Sequence, residues 1–346
     1  MLGKLQYLQG LRALAVCMVL FSHLLMIEKK YSPEAILPEI SRVGVAGVDL
    51  FFVISGFIMY MISSGEKVGW RLALNFLYRR ALRIYPVYWF YTSLVLAVYV
   101  LVPGLVNSGQ QSRIVYSYLL WPTEMPFLVG VGWTLVYELY FYFVFALLFY
   151  FLRPYFLSAV MVWGWIVFVL SFLSEDWAPW LRYATSPMVF EFIFGVFLAY
   201  LVSQGRLKLS PTACLGLAIV ALVAMTAFAG VSLSVTGDTP NGWWRVAAFG
   251  MPSVLLVLAA YSADREGYTL PRWLVLMGDS SYSTYLSHVL VLSVLGYAWV
   301  WVGGFLAISS VFMLPLMVVA CVIYGWLSYR FIEKPLLEIG RRAVRF

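Results

Sequence analysis

The chain has 346 residues, 63% of them hydrophobic and only 11% charged, with a mean hydropathy of +0.88 and a formal net charge of +7. This balance excludes a soluble globular protein, and the long unbroken apolar runs exclude an outer-membrane barrel, whose strands alternate apolar and polar residues. What remains is an all-α integral membrane protein, in which the basic excess flanks hydrophobic runs and sets topology, so no nucleic-acid partner is read from it.

Runs long enough to cross a hydrocarbon core of about 30 Å fall near 11–27, 45–62, 84–102, 133–152, 156–173, 187–203, 212–230, 244–261, 281–299 and 305–328. About ten transmembrane helices are thus expected in one bundle, forming a single transmembrane domain over 1–346. The first run follows Lys4 but has no small-residue cleavage site before Glu28-Lys29-Lys30, so it is read as an uncleaved helix. An even number of crossings puts both termini on one side. On that side lie Lys4, Lys67, Arg71, Arg79, Arg80, Arg83, Arg153, Arg206, Lys208, Arg265, Arg272, Arg330, Lys334, Arg341, Arg342 and Arg345, against Lys29, Lys30, Arg42, Arg113 and Arg182 opposite. The positive-inside rule predicts cytoplasmic termini. Cys17, Cys214 and Cys321 have no motif spacing, and neither a disulfide framework nor a metal site is indicated.

In the first run, Arg12 and His23 are eleven residues apart. On a helix they would be separated by about 16 Å along the axis and only about 20° around it. Ionisable side chains at membrane depth are costly and tend to face the protein interior. Snorkelling of Arg12 and an interfacial location for His23 are the competing readings. Asp49 enters the second run from the outer side, at a depth expected to match His23, with a helix N-cap as its structural alternative. Arg79, Arg80 and Arg83 crowd the start of the third run and could clamp phosphates bidentately, although topogenic arginines next to a span look the same. The connection at 103–132 contains Ile114 to Trp121, too short to span and expected at the interface or dipping partway in. Glu138 follows near the outer start of the fourth run. An imidazole and two carboxylates are therefore expected at one level, where a carboxylate would orient a histidine base. The 262–280 connection is a polar loop. In the ninth run Ser281, Tyr285 and His288 share a helix face as a supporting polar stripe, suited to a hydrogen-bond network or to chemistry. Serine-hydrolase, zincin and Walker motifs are absent from the sequence.

Taken in order, Arg12-x10-His23, Gly47-Val48-Asp49-Leu50-Phe51-Phe52-Val53-Ile54-Ser55-Gly56-Phe57, Arg80-x-x-Arg83 with Tyr85-Pro86, Trp133-Thr134-Leu135-x-x-Glu138, Glu191-Phe192-x-x-Gly195, Ser281-Tyr282-x-x-Tyr285-Leu286-x-His288 and Phe331-Ile332-Glu333-Lys334-Pro335 resemble the integral-membrane acyltransferase family 3. The resemblance covers nearly the whole chain and matches the form without a fused extracytoplasmic domain. It implies an O-acyltransferase, typically an O-acetyltransferase, that draws on cytoplasmic acyl-coenzyme A as co-substrate, holds no permanent cofactor and acts on a glycan or lipid-linked oligosaccharide in a bacterial inner membrane. It matches His23 to the essential histidine, Arg12 to its paired basic residue, and Arg80 and Arg83 to the arginine pair. With this, His23, Glu138 and Asp49 are the expected catalytic residues, and Arg12, Arg79, Arg80 and Arg83 the expected donor-binding residues. Two other readings fit intramembrane charges on ten helices: a proton-coupled exporter and a non-catalytic membrane partner. Internal repeats and paired helix breaks, which would favour the exporter, are not seen in the sequence.

Overall fold

The computed structural model describes residues 5–32, 34–64, 68–173, 176–205, 209–303 and 309–343. Among these every regular element is helical, and ten helices are long and apolar enough to cross a membrane. Lys4, Lys67, Arg206, Lys208 and Arg345, which enter the topology argument, lie outside the described residues.

The order begins with α1 (Gln6–Tyr31), a short 3-10 segment Glu39–Val45 running into α2 (Ala46–Ser63), and α3 (Trp70–Leu101). Next come α4 (Ile114–Leu119), α5 (Gly132–Phe151), α6 (Phe156–Ser171), α7 (Pro179–Ala184), α8 (Val189–Ser203) and α9 (Pro211–Thr236). The chain closes with α10 (Gly242–Arg265), α11 (Arg272–Asp279), α12 (Ser281–Gly303), α13 (Ser310–Ser328) and α14 (Lys334–Ala343). Two π turns interrupt this regularity: Val246–Gly250 lies inside α10, and Tyr329–Glu333 joins α13 to α14.

Helices in lipid gain little from burying apolar surface against one another, so close backbone approach must hold them together. At Gly47 an added Cβ would lie 2.2 Å from the Ala15 carbonyl oxygen of α1. Where α2 crosses α8, a Cβ on Gly56 would lie 2.1 Å from the Phe192 oxygen, and one on Gly195 2.2 Å from the Val53 oxygen. The three helices touch backbone to backbone, and no larger residue fits at either crossing. α9 sits at the periphery and exposes Leu215, Ile219 and Val223, side chains suited to lipid.

Two elements differ from the hydropathy pattern. The third crossing was expected from 84, but α3 begins at Trp70 and holds Arg79, Arg80 and Arg83 within it. Helical hydrogen bonding is indifferent to side-chain charge, and Arg80 and Arg83 face internal space that accommodates them. The 262–280 connection contains α11, two helical turns. It is stitched to the first turn of α1, where the Asp264 carboxylate accepts from the Tyr7 and Leu8 amides at 2.9 and 3.2 Å and the Gln6 side-chain oxygen accepts from the Leu270 amide at 3.0 Å. The Tyr7 and Leu8 amides are ones that a helix start leaves without an intrahelical partner.

The short segment after α3 folds back along it. Tyr88 donates to the Ser117 carbonyl at 2.8 Å, the Trp89 indole to Tyr118 at 2.9 Å and Tyr85 to Leu119 at 3.0 Å. Tyr88 lies thirteen residues before the end of α3, so α4 re-enters to a depth of about 20 Å along that helix. Irregular backbone is tolerated there because protein groups satisfy it: the Ser117 hydroxyl also accepts from the Leu128 amide at 3.0 Å.

Candidate active site

Arg12, Arg80 and Arg83 come together. With Gln9 they line one end of a cavity of about 280 Å³ whose walls also include Ser55, Thr134, Glu138, Tyr142, Ser281, Tyr282 and Tyr285, and the apolar residues Phe51, Ile54, Ile58 and Met59. Arg12 is held by its own helix, Nη1 donating to the Gln9 side-chain oxygen at 3.1 Å. The Arg80 guanidinium lies over the rings of Phe76 and Tyr142, at 5.7 and 5.9 Å, and its Nε is buried without a hydrogen-bond partner. A second cavity, of about 510 Å³, is lined by Asn75, Tyr78, Arg79, Arg80, Leu82, Arg83, Leu337 and Arg341. Arg80 and Arg83 therefore border both spaces, while Arg79, exposed and bonded to Asn75 at 3.2 Å, faces only the outer one. Arg341 joins them from α14, which the Tyr78 hydroxyl ties to α3 through the Gly340 carbonyl at 3.0 Å. Several guanidiniums around two spaces that share Arg80 and Arg83 are suited to clamping phosphate or carboxylate groups.

The two expected carboxylates do not meet at His23. Asp49 is fully buried and is clasped by Arg245, Nε to Oδ1 at 2.8 Å and Nη2 to Oδ2 at 2.7 Å. Neither does it cap its helix. Glu138 accepts a hydrogen bond from the Tyr142 hydroxyl one helical turn on, in the cavity that holds the arginines. His23 instead donates from Nδ1 to the carbonyl of Val19 at 2.9 Å, so a backbone oxygen, not a carboxylate, fixes its tautomer. Sequence depth alone could not resolve this, because Asp49 and His23 occupy helices whose azimuths are set by packing.

The polar stripe of α12 divides between two jobs. Ser281 and Tyr285 line the cavity, and the Tyr285 hydroxyl shares a 2.9 Å hydrogen bond with Thr134. His288 is fully buried on the far side of Tyr285, with ring centres 5.8 Å apart, and meets His23 edge-on at 4.8 Å. Tyr285 thus lines the arginine-rich cavity and also neighbours His288. Neighbouring side chains of α12 fix its position: Tyr282 donates to the Ile84 carbonyl at 2.7 Å, and Ser283 donates to the buried Glu333 at 2.6 Å.

Arg245, Tyr142, Arg341 and Glu333 were not among the expected site residues. Arg245 carried a usable signal, an arginine at the edge of a hydrophobic run. Tyr142 carried none, since it is one aromatic among many in α5.

Comparison with known proteins identifies the family. A family model described as an acyltransferase domain, that of acyltransferase family 3, matches residues 5–330. The exopolysaccharide production protein ExoZ of Rhizobium meliloti is 31% identical over 324 residues, covering 86% of this chain and 91% of that protein. The acyltransferase MdmB of Streptomyces mycarofaciens is 26% identical, covering 98% and 93%, and nodulation protein 10 of Rhizobium leguminosarum is 26% identical, covering 96% and 94%. No solved structure matches. The chain belongs to acyltransferase family 3 and is an integral-membrane acyltransferase.

Proposed function

We propose that the protein is an O-acetyltransferase that takes an acetyl group from acetyl-coenzyme A and transfers it to a hydroxyl of a cell-envelope or exported glycan. The observation that carries this reading is the pair of cavities meeting at Arg80 and Arg83. The outer cavity, with Arg79 and Arg341, suits the nucleotide phosphates. The inner one, with Arg12 at its rim and apolar walls, suits the pantetheine arm. Coenzyme A would enter from the end of the bundle expected to carry both termini, and the distribution of basic residues supports a cytoplasmic side for that end.

His23, about 16 Å along α1 from Arg12, is the general base. It takes the proton of the acceptor hydroxyl as the oxygen attacks the thioester carbon, and gives that proton to the departing thiolate. Glu138, paired with Tyr142, orients the donor near the arginines; it does not orient the base. Asp49 acts through Arg245 as a structural anchor. The glycan acceptor rests on the ExoZ relative, whose name assigns it to exopolysaccharide production.

The test is acetyl transfer from acetyl-coenzyme A to envelope glycan by purified protein in lipid, followed by mass analysis of the glycan. An acetyl-sized increment that requires His23 supports the reading. Full transfer by His23→Ala at normal expression removes the general-base role, and the absence of any acetyl-sized increment with the wild-type protein refutes the reading.

A further inference from the structure

Glu191, in the first turn of α8, is fully buried, and among the described residues neither of its carboxyl oxygens has a hydrogen-bond donor. Its side chain lies on the π turn of α10, where a Cβ added to Gly250 would come within 3.0 Å of Glu191 Cγ and 3.5 Å of Oε1. Arg245, just before that turn, gives its donors to Asp49 and to the Val45 carbonyl. The Glu191 carboxyl faces the Asp49 carboxyl within hydrogen-bonding range. The helices that carry them are pressed together at the same level: Phe52, three residues after Asp49, stacks on Phe192 with ring centres 4.4 Å apart. Asp49 from α2, Arg245 from α10 and Tyr137 from α5 are the charged or titratable groups around Glu191 among the described residues; α6, also packed on α8, carries none.

Two ionised carboxylates that face one another offer only acceptors, and one guanidinium neutralises only one of them. A second, unpaired carboxylate in a dry site is far more costly than the neutral acid. The proton belongs on Glu191, because both Asp49 oxygens already accept from Arg245, and each oxygen keeps a lone pair for one further bond. We infer that Glu191 is an un-ionised acid whose O–H donates to Asp49, and that Arg245, Asp49 and Glu191 form a proton-dependent latch across α2, α8 and α10. With the proton in place the three groups sum to zero charge. When the Glu191 O–H bond breaks and the proton passes to water, two anions share one cation beside the Gly56 and Gly195 crossing, where the backbones of α2 and α8 touch. α2 also walls the arginine-lined cavity with Phe51, Ile54, Ser55 and Ile58. Release of the proton therefore loosens the helix that shapes that cavity, and alkaline pH opens the latch.

Glu191→Gln tests this, since it keeps the shape of the acid and offers Asp49 an amide N–H but has no proton to lose. With purified protein in detergent at neutral pH, the infrared difference between wild type and Glu191→Gln should contain the C=O stretch of an un-ionised carboxyl group on the wild-type side. A folded state that holds one proton more than the unfolded chain loses stability as pH rises, by about tenfold in the unfolding constant per pH unit. Between about pH 6 and 8 the wild-type unfolding midpoint should thus fall relative to that of Glu191→Gln, and the wild-type carbonyl band should fade as the latch opens at higher pH. None of these readouts needs a substrate. A difference spectrum without that band, or parallel pH profiles for the two proteins, overturns the inference. So does a Glu191→Gln chain that fails to fold, because a neutral donor of the same shape should satisfy the site.

Discussion

Arg245 holds Asp49 with two charge-assisted hydrogen bonds of 2.8 and 2.7 Å, in a place where the carboxylate has no access to solvent. Breaking a buried pair from one side strands the other charge, at a cost of about 3–5 kcal/mol, whereas replacing both partners by apolar groups can be nearly neutral. Arg245→Leu should therefore lower the thermal unfolding midpoint in detergent far more than the double variant Asp49→Leu/Arg245→Leu. Equal losses for the single and double variants would show that the pair is not the anchor described here.

Arg80 and Arg83 border both cavities. A hydrogen bond to a charged group is worth about 1.5–3 kcal/mol, so Arg80→Ala with Arg83→Ala, which removes at least two, should raise the apparent KM for acetyl-coenzyme A by roughly 100-fold or more. Arg341→Ala should raise it less. Dephospho-type donors lacking the 3′-phosphate should lose less affinity in the variants than the full donor does. An unchanged KM in the double variant would remove the phosphate-binding role.

Gly56 and Gly216 make a matched pair on different helices. A methyl group at Gly56 would collide with the Phe192 carbonyl, while one at Gly216 meets nothing within 4 Å. Overpacking costs about 1–3 kcal/mol, and relief of glycine's backbone freedom in a helix gains roughly 0.5–1 kcal/mol. Gly56→Ala should thus destabilise and Gly216→Ala stabilise, as read from unfolding midpoints.

Asp264 caps the start of α1 from a distant part of the chain. Loss of a capping acceptor costs about 0.5–2 kcal/mol, so Asp264→Ala should lower stability by that amount. Amide exchange at Tyr7 and Leu8 should quicken, with little change at Leu24 and Leu25 further along the helix.

The ten crossings were legible because a membrane helix must announce itself by apolar length, and the grouping of Arg12 with Arg80 and Arg83 was legible because all three lie near the same end of their hydrophobic runs. The start of α3 was not, since hydropathy places a boundary at the first charge and not at the first helical hydrogen bond. The fate of Asp49 was hidden for a different reason. Depth follows from sequence position, but which neighbour a side chain faces depends on helix rotation, and that is set by contacts such as Gly47 against Ala15 and Gly56 against Phe192. His23 showed the same limit: its orienting group is the Val19 carbonyl, and every residue has a carbonyl.

The two π turns carry a consequence for the phase of their helices. Each accommodates one residue more than an α turn would, and one residue corresponds to about 100° of rotation. In α10 the slip falls immediately after Arg245; in the last crossing it ends at Glu333. Upstream and downstream segments of a single rod thereby present sectors that a regular helix could not show to the same neighbours. Deleting one residue within Val246–Gly250 would leave composition and length almost unchanged, yet swing Arg245 by about a quarter turn relative to the rest of α10 and uncouple it from Asp49.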